Sequence, residues 1–434
     1  MSRLLAVCAL LVALVLSGPA GAVTIERVVS PGGIEAWLVR DHANPILAVE
    51  VSFRGGASLD PAGKTGLATM TAALLDEGAG PYGSQAFQRR LEDRVIGLSF
   101  DAGRDALRGH LKTLTEHRDE AFDLLRLALT APRFDAPAVE RIRGQLLTGL
   151  MRESESPEHL AARAWFAAAF PGHPYGRSPR GDIATVKTIT VADLKSEVTR
   201  QLARDRMTIG VVGDIDPPEL GRLLDATFAG LPARGAALTV AETRADTHGQ
   251  SERIARAIPQ TVANFGLAGI KRDDPDWYAA TVMNHILGGG GFASRLTETV
   301  REKNGLAYGV WTALIPLDHA GVLFGGVATE NSRFDQSLAL IRQELRRMRD
   351  DGPTETELAD AKTYLNGSFP LGLDSTSAIA QLLVQMQTDR LGLDFLDRRP
   401  GLINTVTAAD VRRVAARLLD PDALALVAVG PAAP

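Results

Sequence analysis

Cysteine is almost absent from this sequence, whose one example, Cys8, lies in an apolar run near the first residue. A single thiol cannot form an internal disulfide, and removal of the segment around Cys8 would leave no thiol ligand or nucleophile. Long apolar runs are scarce too, because after residue 22 no stretch approaches the roughly 20 apolar residues that a membrane-spanning helix needs. We therefore expect packing to supply the stability, and no membrane segment in the mature chain.

The first 22 residues have the pattern of a secretory signal. Arg3 supplies a short positive region, residues 4–16 are apolar, and the segment ends in the small residues Ala20, Gly21 and Ala22. The apolar stretch is too short to span a bilayer comfortably. The pattern predicts cleavage after Ala22 and export, with the periplasm as the expected compartment. An uncleaved membrane anchor is the alternative interpretation.

A basic run or basic face is also missing. The chain has 47 Lys and Arg against 52 Asp and Glu, a formal net charge of -5 at pH 7. Because nucleic-acid-binding proteins normally present a positive surface, this balance argues against that class. With 45% hydrophobic and 23% charged residues in 434 positions, the composition is globular and the length suggests two or more domains.

The order of predicted elements occurs twice along the chain. Residues 23–232 are predicted to form strands, a helix, a strand pair and further helices, ending with a strand at 207–212 and a helix at 217–228. Residues 252–434 repeat this order, and the small, polar residues 233–251 between them predict a linker. The repetition predicts a duplicated α+β fold, in which each domain has a mostly antiparallel sheet backed by helices.

Histidine is sparse and is not spaced for a helical metal site. No two of the eight histidines lie four residues apart, the spacing at which two imidazoles on one helix face reach the same ion. His110 and His117 are seven apart, but one lies on a predicted strand and the other at a predicted helix start. Dispersed surface or capping histidines are the simpler interpretation, so an autonomous metalloenzyme with an unrecognised site is disfavoured.

Several short segments, taken in order, resemble the insulinase/pitrilysin-type metallopeptidase family. They are residues 56–68 (GASLDPAGKTGLA), 173–176 (HPYG), 211–216 (VVGDID), 287–290 (LGGG), 294–296 (SRL) and 300–308 (VREKNGLAY). Together they cover nearly the whole mature chain in the order that the family shows. The resemblance implies two similar α+β domains, and two such pairs facing each other across a closed chamber.

The family's zinc motif is missing from the place where the resemblance puts it. The motif, His-x-x-Glu-His on one helix, supplies two zinc ligands and a general base. Directly after Ala68 this chain has Thr69 and Ala73 at the histidine positions and Ala72 at the glutamate position. Gly149 lies at or near the position of the third ligand. Because these side chains are absent or poor donors, we expect no zinc on this chain.

The family's arginine and tyrosine of the second half are retained as Arg301 and Tyr308. The resemblance implies that Tyr308 donates a hydrogen bond to the scissile carbonyl oxygen, while Arg301 contacts the substrate backbone or holds the tyrosine. Gly305, between them, predicts the left-handed turn that ends a helix. An ordinary surface and packing role for both side chains is the alternative.

The four consecutive glycines Gly288, Gly289, Gly290 and Gly291 resemble the family's glycine loop. The resemblance implies a flexible, substrate-binding loop that faces the chamber. No Gly-Lys-Ser/Thr follows them, so the run does not predict a phosphate-binding loop. A turn that needs positive φ angles is the structural alternative, although it would require fewer glycines.

Some members of this family divide the work between two chains, one with the zinc motif and one with the Arg/Tyr pair, and this sequence resembles the second kind. The resemblance implies a heterodimer with a homologous zinc-bearing subunit, the expected site of the only zinc. Peptide substrates would be captured as an added strand at a sheet edge. A catalytically inactive peptide-binding or scaffold homologue is the alternative function.

Overall fold

The structure is a computed structural model that describes residues 24–237 and 239–432. The predicted signal at 1–22 lies outside these residues. Within them, no helix combines the length and the apolar character that crossing a membrane requires.

The first half contains one large sheet, one small hairpin and eight helices among the described residues. The large sheet consists of β1 (Glu26–Val29), β2 (Glu35–Arg40), β3 (Ile46–Arg54), β6 (Gly97–Ala102), β7 (Ala106–Leu114) and β8 (Met207–Gly213), and the hairpin of β4 (Gly78–Ala79) and β5 (Tyr82–Gly83). The helices are α1 (Leu67–Leu75), α2 (Ser84–Asp93), α3 (Arg118–Thr130), α4 (Ala136–Glu155), α5 (Pro157–Ala169), α6 (Ile183–Thr188), α7 (Val191–Gln201) and α8 (Pro217–Phe228).

The second half contains a five-stranded sheet and six α-helices among the described residues. The strands are β9 (Ser251–Ala255), β10 (Gln260–Ala268), β11 (Ala307–Pro316), β12 (Gly321–Glu330) and β13 (Ala425–Gly430). The helices are α9 (Trp277–Asn284), α10 (Phe334–Asp350), α11 (Glu355–Ser368), α12 (Thr376–Thr388), α13 (Phe395–Asn404) and α14 (Ala408–Leu418). Residues His285–Gly289 and Thr297–Lys303 form π-helical turns.

The second sheet repeats the topology of the first without a counterpart of β1. The first runs β1-β2-β8-β3-β7-β6, and the second runs β9-β13-β10-β12-β11 when read in the same direction. Each has one parallel pair, β2 with β8 and β9 with β13, and is otherwise antiparallel. The predicted duplicated α+β fold is therefore confirmed. Between Phe228 and Ser251 the described residues form no helix or strand, and the predicted domain boundaries stay a prediction.

Each half covers one face of the other's sheet with a helix. Helix α5 packs on β10 and β13, where Trp165 is fully buried and its indole Nε1 donates to the carbonyl oxygen of Ala425 at 3.2 Å. Helix α12 packs on β3 and β8, where Leu383 contacts the apolar surface around Ala48. The two halves therefore bury common apolar surface. No element was predicted in the region that contains helices α12 to α14.

Candidate functional site

Helix α1, which carries the former zinc-motif positions, begins at a buried carboxylate. Both oxygens of Asp60 accept backbone N–H groups, from Gly66 at 2.8 Å, Leu67 at 3.2 Å and Ala68 at 2.9 Å. These bonds satisfy donors that a helix N-terminus leaves free. Burial raises the pKa of Asp60 to about 7, and the backbone donors counter that rise. The segment that resembles the family therefore still builds its helix, although the helix carries no metal ligand.

The motif positions on α1 are occupied by groups that do not suit zinc. The Thr69 hydroxyl donates to the carbonyl oxygen of Pro179 at 2.7 Å, so it is already engaged. Ala72 is buried in the core, and Ala73 packs partly against it. Zinc needs imidazole, thiolate or carboxylate donors, and none of these side chains supplies one.

A cation lies beside Gly149, the residue predicted to be at or near the position of the third ligand. A Cβ added to Gly149 on α4 would lie 2.6 Å from Nη2 of Arg180, so the glycine leaves room for this guanidinium. Arg180 forms an ion pair with Glu153, one turn further along α4. Within residues 24–237 and 239–432, no three His, Cys, Asp or Glu side chains are grouped to hold a metal. Sequence reasoning missed Arg180, because the sequence shows only a charged residue in the Ser178–Gly181 turn and no sign of its contact with α4.

We expect Arg180 to oppose zinc even after the ligands are restored. A chain carrying Thr69→His, Ala72→Glu, Ala73→His and Gly149→Glu should bind zinc at least about tenfold more tightly when Arg180→Leu is added, because a neighbouring cation disfavours the metal. Isothermal titration with zinc checks this. The control is Arg152→Leu, which removes an exposed arginine from α4, the helix that carries Gly149. Equal affinities with and without Arg180 would contradict the interpretation.

Tyr308 lies at a β-bulge. Ala307 pairs with Thr329 and Gly309 with Ala328, so Tyr308 has no residue opposite it on β12. A bulge turns a side chain out of the regular alternation, and Tyr308 is 84% exposed. Its hydroxyl makes no hydrogen bond with the described residues.

Arg301 lies between two exposed aromatic rings. Its Cζ atom is 4.7 Å from the ring centre of Phe292 and 5.0 Å from that of Tyr308, and its Nε is 3.2 Å from Glu302 Oε1. These contacts hold the guanidinium by cation–π attraction. Gly305 has φ 58° and donates its N–H to Arg301 O at 2.8 Å, which confirms the predicted left-handed turn. The structure thus brings Arg301 and Tyr308 together and adds Phe292, whose only signal was an aromatic in a glycine-rich segment.

The glycine run is more ordered than the predicted loop. Gly288 and Gly289 belong to the π-helical turn that extends α9, so the prediction of a loop there was wrong. A Cβ on Gly288 would lie 2.5 Å from Thr312 Oγ1, and one on Gly290 would lie 2.6 Å from the carbonyl oxygen of His285. Of the four, Gly291 alone has positive φ, at 58°. Close approach to β11 and to the preceding turn therefore requires these glycines, and their substrate-binding role stays a prediction.

The outer strands of the two sheets differ in how their edges are covered. On β11, the carbonyl oxygen of Val310 accepts from Thr297 at 3.4 Å, and that of Thr312 accepts from Asn284 at 3.3 Å. On β6, no described residue beyond β7 forms a backbone hydrogen bond with the strand. A sheet edge with free N–H and C=O groups accepts another strand, so β6 is an open edge of the first sheet.

A histidine ties the open edge strand to the middle of its sheet. His110 on β7 has Nδ1 2.6 Å from Glu50 Oε2 and Nε2 2.6 Å from Asp101 Oδ1. Asp101 lies on β6 and Glu50 on β3, so the ring links three strands. Hydrogen bonds to Asp101 and Glu50 raise the pKa of His110 from 6.5 to about 9.

The stability of the protein should therefore fall with rising pH. Because the folded-state pKa is above the unfolded value, the contribution of His110 is complete below about pH 6.5 and is lost as the pH rises through about 9. We expect a loss of about 1 kcal/mol, reduced by solvent around Asp101. Urea unfolding at pH 6 and pH 9.5 measures it, and His110→Gln should remove the difference. The exposed His248→Gln should retain it, and an unchanged pH profile in His110→Gln would refute the assignment.

The exposed aromatic side chains border a groove between the second sheet and α5. Its volume is about 660 Å³, and its walls include Tyr308, Trp311 and Phe324 on the sheet and His159 and Ala162 on α5. Trp311 is 44% exposed although it lies on a strand. The groove is mostly apolar and is bounded by both halves of the chain.

The fold and site define a duplicated α+β protein in which the described residues group no set of side chains able to hold a metal ion. A profile described as "Peptidase M16 inactive domain" matches residues 188–365. An uncharacterized zinc protease of Mycobacterium bovis is 30% identical over 69% of each chain, and a non-peptidase homolog of Helicobacter pylori is 29% identical over 78% of each chain. This chain belongs to the peptidase M16 family, so the predicted insulinase/pitrilysin-type relationship is confirmed.

Two further similarities bear on the fold and on assembly. A crystal structure of a peptidase M16 inactive domain from Pseudomonas fluorescens is 27% identical and superposes with a TM-score of 0.89, covering 94% of this chain and 98% of that one. A probable mitochondrial-processing peptidase subunit beta of Schizosaccharomyces pombe is 28% identical over 88% of this chain and 86% of its own. The chain is thus an M16-family homologue whose zinc-motif positions Thr69, Ala72 and Ala73 carry no suitable zinc ligand.

Proposed function

We propose that this chain is the non-zinc subunit of a two-chain M16 peptidase. A homologous partner would supply zinc, the attacking water and the general base, and this chain would supply Arg301, Tyr308 and part of the chamber wall. The observation that carries the proposal is the free Tyr308 hydroxyl, projected by a bulge beside a guanidinium. An exposed phenol with no partner can donate to a carbonyl oxygen of the substrate as negative charge develops there.

The open edge of β6 favours peptide capture by strand addition. An unfolded peptide that pairs with this edge would be recognised through its main chain, with little dependence on sequence. Capture at β11 is disfavoured because Thr297 and Asn284 already occupy two of its carbonyl oxygens. Export to the periplasm, proposed from the first 22 residues, would place this activity on exported or imported peptides.

A catalytically inactive scaffold or peptide-binding homologue is the second candidate. The residues at the predicted zinc positions favour it, since Thr69 contacts Pro179 and Gly149 lies against Arg180. In that case the open β6 edge would bind peptides or a partner without contributing to chemistry.

The two candidates are separated by measuring peptidase activity in three samples. A generic unfolded peptide is incubated with this chain, with an M16 chain from the same genome that has an intact His-x-x-Glu-His motif, or with both. The proposed subunit role predicts cleavage in the mixture alone, together with a heterodimer on size-exclusion chromatography. Full activity of the zinc chain alone, unchanged by addition of this chain, would reject the subunit role and leave the scaffold.

A further inference from the structure

A cavity of about 510 Å³ lies between the end of α4, helix α5 and residues 176–180. Its walls contain four arginines, Arg104, Arg163, Arg177 and Arg180, but only one carboxylate, that of Glu153. This concentration of positive charge is unexpected in a chain with a formal net charge of -5. Local charge of one sign in a concave site attracts a ligand of the opposite sign.

Two of the arginines are fixed in place by contacts that leave charge available. The Arg104 guanidinium lies 4.0 Å from the ring centre of Phe166, and its Nε is 3.4 Å from the carbonyl oxygen of Tyr175. Burial lowers the pKa of Arg104, but a guanidinium still stays cationic at neutral pH. Arg177 donates to the carbonyl oxygens of Asp60 at 3.1 Å and Ser58 at 3.4 Å. No carboxylate of the described residues forms a hydrogen bond with either side chain, although Asp105 interacts electrostatically with Arg104 and Asp60 with Arg177.

The other two arginines differ in how they are paired. Arg180 forms an ion pair with Glu153, which carries the one carboxylate of the cavity. This carboxylate is therefore not available to the other three arginines. Arg163 is exposed and forms no hydrogen bond or ion pair with any described residue. It is one helical turn after His159 on α5, so the two side chains lie on the same face. The cavity thus presents an unpaired cation next to a groove wall.

We infer that this cavity binds a carboxylate of the peptide that the protein captures, either a C-terminal carboxylate or the side chain of Asp or Glu. The inference rests on the proposed function, because it assumes a peptide ligand. His159 and Ala162 line both this cavity and the groove beside Tyr308, so a peptide in the groove can reach the arginines. Guanidinium groups bind carboxylates through two parallel N–H donors, which suits a cavity of this composition. The substrate class is therefore peptides that carry an acidic group.

The test measures binding of three labelled peptides by fluorescence anisotropy. One unfolded peptide carries a single glutamate and a free C-terminus, the second has Gln in place of the glutamate, and the third has a C-terminal amide. We expect removal of the recognised carboxylate to weaken binding about tenfold, the effect of one lost charge-assisted hydrogen bond. Whichever neutral peptide loses affinity identifies the source of the carboxylate.

The Arg163→Glu variant should abolish this preference, and Arg152→Glu, an exposed arginine of α4 outside the cavity, should preserve it. Because Arg163 makes no contact that folding requires, circular dichroism of the variant should be unchanged. Equal binding of all three peptides to the native chain would overturn the carboxylate site while leaving peptide binding intact. Failure of every peptide to bind would reject the proposed peptide capture and the inference with it.

Discussion

Replacing Tyr308 with phenylalanine is expected to lower kcat of the mixed peptidase about 100-fold, the effect of removing one donor to a developing oxyanion. The substitution deletes one hydroxyl and keeps the ring beside Arg301, whose Cζ lies 5.0 Å from the ring centre. Because the hydroxyl makes no hydrogen bond with the described residues, its loss should not disturb the fold. Steady-state kinetics on an unfolded peptide should therefore show a fall in kcat with KM little changed.

Tyr364→Phe is the matched control for this substitution. Tyr364 is also exposed, at 59%, but it stacks on His285 rather than on Arg301. Its substitution should leave the kinetics of the mixture unchanged. If Tyr308→Phe retained full kcat while the heterodimer formed normally, the tyrosine would be a remnant and the scaffold function would be preferred.

Local sequence signals predicted the elements that depend on nearby residues. The helix predicted between the first strands and the strand pair is observed as α1 over Leu67–Leu75, because Asp60 and Gly66 define its start within a few positions. The stop at Gly305 was equally predictable, since a glycine after an amphipathic segment permits the left-handed turn. These features are determined by short stretches of chain, so they can be predicted from the local sequence alone.

Features that depend on distant residues were not predictable in this way. The exposure of Tyr308 follows from a bulge, and the bulge depends on the register between β11 and β12. The exchange of α5 and α12 between the sheets depends on contacts between residues far apart in sequence, such as Trp165 with Ala425, which are 260 positions apart. Helix α14 was overlooked although its start carries a local signal, the reciprocal capping pair Thr407 and Asp410.

The residues of the candidate site could be predicted from the sequence, but their arrangement in space could not. The resemblance identified Arg301 and Tyr308, and it identified the lost ligands at Thr69 and Gly149. It could not show that Arg180 lies against Gly149, because those residues are 31 positions apart and meet only when α4 packs beside the 178–181 turn. An ion pair between Arg180 and Glu153 thus lies next to the position predicted for the third ligand.

Removal of Arg295 should destabilise the second half by about 2 kcal/mol, less than the roughly 3–5 kcal/mol for a fully buried ion pair, because the side chain of Glu357 is 27% exposed. Arg295 is 3% exposed, and its Nε and Nη2 atoms lie 2.6 and 2.7 Å from the two carboxylate oxygens of Glu357. Nη2 also donates to the carbonyl oxygen of Gly352 at 2.8 Å. This arginine joins the segment that leads into the Arg301 turn to the start of α11, so its loss should also disorder the candidate site.

The variants Arg295→Leu and Glu357→Leu, and the two combined, form a double-mutant cycle measured by urea unfolding at pH 7. Each single variant should be less stable than the native chain, because a charge is left without its partner. The double variant should recover part of the lost stability. The surface variant Arg349→Leu, which breaks an exposed pair with Asp350, should leave the midpoint unchanged. Additive effects in the cycle would show that the two side chains are not coupled.

The same pair predicts the response to acid. Burial opposes ionisation of Glu357, but hydrogen bonds from Arg295 and from the Thr354 backbone outweigh it and lower its pKa to about 2. Because the folded-state pKa is below the unfolded value of 4.5, the stabilisation is complete above pH 4.5 and is lost as the pH falls toward 2. Between pH 5 and pH 2.5, the free energy of unfolding should thus fall more steeply with decreasing pH in the native chain than in Arg295→Leu. In the variant, Arg295 no longer stabilises the ionised form of Glu357. Equal acid sensitivity in the two proteins would mean that other carboxylates govern acid unfolding and that the pair contributes through packing alone.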